Sequence, residues 1–172
     1  IAGGKGGAIH ASGIQTAVKV SNSKFHKNTA SSGGAVSIES SASMQMSHVT
    51  GTKNKAKGGG DGGFLFAILA SPLLLRDVSI QQSATDKNGG GGGMAMFSTQ
   101  VALEHVSIRH CQAGSKGGAG LLLDTGAEGH FIGGILENNT AEFDGGHVYS
   151  AASSLIVHSS NAVLTWPDQE PV

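Results

Sequence analysis

The sequence predicts an all-β solenoid, a parallel β-helix of about six rungs with three short strands per rung. Three observations carry this. A glycine pair returns six times, as Gly6-Gly7, Gly33-Gly34, Gly62-Gly63, Gly92-Gly93, Gly117-Gly118 and Gly145-Gly146. The second glycines are 27, 29, 30, 25 and 28 residues apart, a period that marks a repeat architecture. In step with it, Phe25-His26-Lys27-Asn28-Thr29-Ala30 aligns with Gly51 to Ala56, Ile80 to Thr85, Ile108 to Ala113 and Leu136 to Ala141. Apolar pairs two residues apart recur upstream, as Val18/Val20, Met44/Met46, Leu73/Leu75, Val101/Leu103 and Leu155/Val157, with a weaker Gly129/Phe131.

A spacing of two means strands. Each unit is apolar on one side only, so a single unit cannot close a core, and stacking the units buries a continuous one. Parallel stacking sets each rung about 4.8 Å above the last, and six rungs span very roughly 25–30 Å. The glycines supply corners that need φ > 0 or close backbone stacking. The column Asn28, Asn54, Ser83, Cys111 and Asn139 reads as a turn ladder, whose amides bond the backbone of their own turn and of a neighbouring rung.

The chain, 1–172, reads as one β-helix segment of a longer protein. Its rungs lie near 6–32, 33–61, 62–91, 92–116, 117–144 and 145–166. Rung one carries Lys5 among Gly3, Gly4, Gly6 and Gly7, without the spacing of a phosphate-binding loop. Rung two ends in Lys53-Asn54-Lys55-Ala56-Lys57, read as a solvated loop. Rung three opens on Phe64-Leu65-Phe66-Ala67-Ile68-Leu69, apolar on both faces and therefore covered on both. Rungs four and five continue it with Met94/Met96 and Leu121/Leu123. If Val36 and Ile38 face the core, then Phe64, Phe66, Met94, Met96, Leu121 and Leu123 face outward as an apolar stripe. Such a stripe marks a partner-docking face, unless the chain's own termini or a neighbouring segment cover it. After rung six the pattern decays into Thr165 to Val172, where two prolines and two acids end the sheet.

The net charge is −1 and aromatic residues make up 5% of the chain. Neither steering toward nucleic acid nor base stacking is expected, and Lys and Arg read as scattered. The single cysteine, Cys111, allows no internal disulfide and reads as a structural free thiol. No apolar run is long enough for a membrane-spanning helix. The column Asn22, His48, Asp77, His105 sets an acid between two histidines. Turn chemistry explains those residue types without metal or catalysis. No cofactor is expected. Asn138-Asn139-Thr140 is a glycosylation sequon, so a glycan at Asn138 is expected if the chain takes a eukaryotic secretory route.

Gly6-Gly7-Ala8-Ile9, Gly33-Gly34-Ala35-Val36, Phe25-His26-Lys27-Asn28 and the degenerate Leu136-Glu137-Asn138-Asn139 resemble the GGA(I/L/V) and FxxN repeats of polymorphic outer-membrane proteins, which are autotransporter passengers. Similar repeats occur in β-helical surface proteins of protists and algae. The resemblance implies a right-handed parallel β-helix of the pectin-lyase-like superfold. It also implies an extracellular or cell-surface location, and adhesion or structure in place of turnover. The expected function is a non-enzymatic structural and interaction segment of a larger surface or assembly protein, which docks other protein subunits or further repeats of the same polypeptide. The alternative is an adhesin for a glycan or host receptor. A third is a carbohydrate-active lyase or hydrolase, for which Asp77 with Glu104 is the one carboxylate pair worth testing.

Overall fold

The computed structural model describes residues 4–165. Within them the fold is all-β and parallel, a solenoid of about five turns. The close of the last rung at 166 and the Pro-containing end lie outside the described residues. One sheet stacks Ile9–Ser12, Val36–Glu39, Leu65–Ile68, Met94–Phe97, Leu121–Asp124 and Val148–Ala151 in that order. A second stacks Ala17–Ser21, Ser43–Thr52, Leu73–Gln81, Gln100–Arg109, Glu128–Glu137 and Ser154–Thr165, with Lys24–His26 beside the second of these. The third face is thin. Thr29–Ala30 pairs with Lys55–Ala56, Gln112–Ala113 pairs with Thr140–Ala141, and single bridges at Ala84 join the two.

The three strands of a rung are thus unequal, not uniformly short. The apolar pairs and the Phe25-type segments are two arms of one long strand, bent at a left-handed residue. Asn22, His48, Asp77, His105 and Gly133 hold that bend with φ between 47° and 61°. Side chains with short polar groups, or none, tolerate this conformation best. A second left-handed corner follows at Lys27, Lys53, Gln82, His110 and Asn138.

In rung three the glycine pair divides two tasks. Gly62 has φ +69°, which an L side chain adopts only at a cost. Gly63 is ordinary in φ, but a Cβ there would strike the Gly92 carbonyl oxygen of the next rung and reach 2.6 Å from the Ala84 backbone.

The interior is filled by Val36, Ile38, Met44, Met46, Leu65, Leu75, Ile80, Met94, Met96, Leu103, Leu121, Leu123 and their neighbours, all essentially inaccessible. Volume is traded between rungs. Where rung two has Gly51 in the column of Phe25 and Ile80, the Phe64 ring moves into the space and meets Phe25 edge-on at 5.8 Å between centroids. A Cβ on Gly51 would lie 2.5 Å or less from that ring. Such large-for-small exchange keeps the core at native density.

Outside the sheets, the glycine-rich loops also stack. Asp61, 7% exposed, accepts from the Gly90 N–H at 2.8 Å and is bridged by Lys116 Nζ at 2.9 Å. One carboxylate therefore ties together the loops of three rungs. Lys55 beside Asp86, at 2.8 Å, holds that carboxyl below the usual range against the opposing effect of burial, helped by the Gly58 N–H. The stability this lends is present above the pKa of an unfolded Asp and lost as pH falls through the lower folded value.

Candidate interaction surface

The expected outward stripe is corrected by the register. Met94 pairs with Leu65 and Leu121, not with Phe64. Rungs four and five therefore open on Gly91-Gly92 and Gly118-Ala119, one residue away from the pairs read in the sequence. A one-residue slip inverts every side chain of a strand. Met94, Met96, Leu121 and Leu123 accordingly lie in the core with Val36 and Ile38, at 0% exposure. Phe64 is also interior, because it sits at the corner before the strand begins and strict alternation does not apply there. Of the six residues, Phe66 alone is on the outer side.

Phe66 opens a different outer row. It packs with Ala95 and Leu122, and with the partly buried Ile68, Phe97 and Tyr149, as a second apolar cluster separate from the core. The Phe66 and Phe97 ring centroids are 5.7 Å apart, and Lys5 Nζ lies 5.8 Å from the Phe66 ring centre. Lys5 is in turn held by Glu39 at 2.9 Å. The first row of this cluster is covered by the chain's own loops. A Cβ on Gly33 would touch Phe66, and one on Gly90 would come 2.8 Å from Leu122. The rim is not covered: Leu69, at a corner with φ 49°, is 61% exposed beside Ile68 and Phe97. No signal in the glycine pairs alone finds this row. Parallel in-register pairing finds it.

The turn-ladder column is half-buried at Asn28 and interior from Asn54 onward, and it does two things. Asn54 Oδ1 accepts from the backbone N–H and the side-chain amide of Asn28, both at 3.0 Å, while its own Nδ2 donates to the Phe25 carbonyl at 3.1 Å. Asn139 repeats this one stretch later, accepting from the Cys111 N–H and donating to the Ile108 carbonyl, both at 2.9 Å. Between them the ladder is interrupted. Ser83 Oγ is buried with no hydrogen-bond partner among the described residues. Cys111 is inaccessible and unpaired to any cysteine, and its Sγ approaches the Arg109 carbonyl at 3.5 Å. Burial pushes the thiol up to about 12. In the native chain, Cys111 should resist an aromatic disulfide reagent for as long as the fold persists and react at once in denaturant. Rapid native reaction would show that the interior is open at this rung.

The bend column is brought together as its register requires. Asp77 Oδ2 lies 3.6 Å from His48 Nε2, and Asp77 Oδ1 lies 3.4 Å from His105 Nδ1. All three side chains are largely exposed. Among the described residues, no group of three or more His, Cys, Asp and Glu side chains is placed to hold a metal ion. Glu104, the second member of the carboxylate pair, is taken up by Arg76 at 2.6 Å. Asn138 sits half-buried at a left-handed corner, and Thr140 of its sequon is exposed. No helix among the described residues is long and apolar enough to cross a membrane.

No family model matches this chain, and neither a curated protein nor a solved structure matches it.

Proposed function

We propose that the chain is a non-enzymatic structural and interaction segment of a larger extracellular or cell-surface assembly. It keeps a rigid spacing and docks another subunit, or further repeats of the same polypeptide, on the outer apolar cluster. The observation that carries this reading is the rim of that cluster, where Leu69 is exposed beside the partly buried Ile68 and Phe97. An apolar rim set on a stiff, in-register sheet offers a preorganised contact at little ordering cost. The repeat motifs that resemble autotransporter passengers support a surface placement, and a glycan at Asn138 is compatible with it. The pairing of Glu104 with Arg76 leaves Asp77 without a free second carboxylate, which weighs against glycoside hydrolysis.

A photo-cross-linking phenylalanine analogue at position 97, in the parent protein on intact cells, tests this. Cross-linked peptides should come from another part of the same polypeptide or from a neighbouring subunit. The yield should fall severalfold when Leu69→Asp is added. An uncross-linked, protease-shielded chain inside the cell would contradict it.

A further inference from the structure

The net charge of −1 conceals a strong separation along the solenoid axis. Among the described residues, 4–60 carry seven lysines and one carboxylate, Glu39, whereas 61–165 carry two lysines, two arginines and nine carboxylates. Scattered in the sequence, the lysines of the first rungs are gathered by stacking. Lys24 lies across from Thr50, and His26 across from Thr52 with Nδ1 and Oγ1 2.7 Å apart. Lys27 and Lys53 hold the same left-handed corner on successive rungs, with φ 55° and 56°. Lys55 lies beside Thr29, and the Lys57 N–H donates to the Ala30 carbonyl at 2.9 Å. Lys55 is neutralised by Asp86. Lys24, Lys27, Lys53 and Lys57 are exposed and bridge to no carboxylate among the described residues.

The corner continues upward as a column of donors. Gln82 and His110 follow Lys27 and Lys53 on the next two rungs, both exposed. Beside them is an open hollow of about 430 Å³, lined by Lys53, Gln82, Ser83, Ala84, His110 and Gln112. Donors therefore recur once per rung, about 4.8 Å apart, which is the scale of a single sugar ring. Phe25, the phenyl ring nearest in sequence to Lys27, is buried, so it offers no face to a stacking base. The cations are lysine point charges and not arginine forks.

We propose that this corner, Lys27 and Lys53 with the hollow beside His110, flanked by Lys24 and Lys57 on the adjoining strands, binds a linear acidic polysaccharide laid along the solenoid axis. The site is separate from the outer apolar cluster and does not depend on it. Lysines contact successive sulfate or carboxylate groups, and the hollow between Lys53 and His110 seats one of them against the Gln82 and Gln112 amides. Because the remainder of the molecule is acidic, only this end attracts a polyanion, and the ligand's orientation along the axis is fixed by repulsion from the later rungs.

The test is binding of the purified chain to immobilised dextran sulfate, with neutral dextran and single-stranded oligo(dT) as parallel probes. Dextran sulfate should bind at low ionic strength and be released as salt rises, and neutral dextran should not bind. The Lys27→Glu/Lys53→Glu pair should weaken binding by roughly tenfold or more with an unchanged circular-dichroism spectrum. Lys19→Glu, on the other arm of the bent strand, should leave affinity unchanged. Failure to bind dextran sulfate would overturn the proposal, as would an equal loss in the Lys19 variant or no loss in the double variant. Oligo(dT) binding as tight as dextran sulfate would replace it with a nucleic-acid site.

Discussion

Gly63→Val should unfold the chain or cost more than about 4 kcal/mol, near the top of the range for single substitutions. The side chain has nowhere to go. Its Cβ would collide with the Gly92 carbonyl and with both the N–H and C=O of Ala84. The Ala84 groups are ladder backbone that cannot move without breaking inter-rung hydrogen bonds, Ala56 N–H to Ala84 O at 3.0 Å and Ala84 N–H to Asn54 O at 2.9 Å. Gly58→Ala is the matched control. Gly58 also lies in a glycine-rich loop and has φ +71°, yet an added Cβ there meets nothing within 4 Å. That change should cost only about 1–2 kcal/mol, the price of a left-handed non-glycine residue. Urea denaturation followed by circular dichroism separates the two. Equal costs would mean that rungs do not approach at Gly63 as closely as described.

The contrast shows what the repeat makes legible. The period and the parallel strands, with the bonded asparagines Asn28, Asn54 and Asn139, follow from residues that recur because backbone stacking demands them. Phe25, Gly51, Ile80, Ile108 and Leu136 pair as their alignment predicts. The faces of rungs three to five were not legible, for local reasons. Gly89 to Gly93 is an unbroken run of five glycines, so it contains several candidate pairs, and the one next to Met94 is a residue too late. In rung five the second glycine of the true pair is replaced by Ala119. Phe64 deceives in another way. Its ring fills the space left by Gly51, a compensation between residues 13 apart in sequence that no strand pattern displays. The basic corner was missed because its lysines belong to two rungs, and charge that is dispersed along a chain becomes contiguous only once the rungs are stacked.

Asn54→Ala should destabilise the fold by about 2–4 kcal/mol. It strips the acceptor from the Asn28 N–H and side-chain amide and the donor from the Phe25 carbonyl, and leaves buried polar groups unsatisfied. Ser83→Ala, one rung on in the same column, removes a buried hydroxyl that has no partner among the described residues. It should be close to neutral, within about 1 kcal/mol in either direction. If the column were only a set of favourable turn residues, the two substitutions would behave alike. Thermal unfolding of the pair distinguishes a bonded ladder from a compositional one.

Inter-rung nuclear Overhauser contacts at the strand Met94–Phe97 address the stacking itself. Backbone contacts should join Met94 to Leu65 on one side and to Leu121 on the other, and join Ala95 to Phe66 and Leu122. Contacts of Met94 with Phe64 would restore the outward stripe and empty the core described here. Contacts confined to residues close in sequence would remove the solenoid altogether.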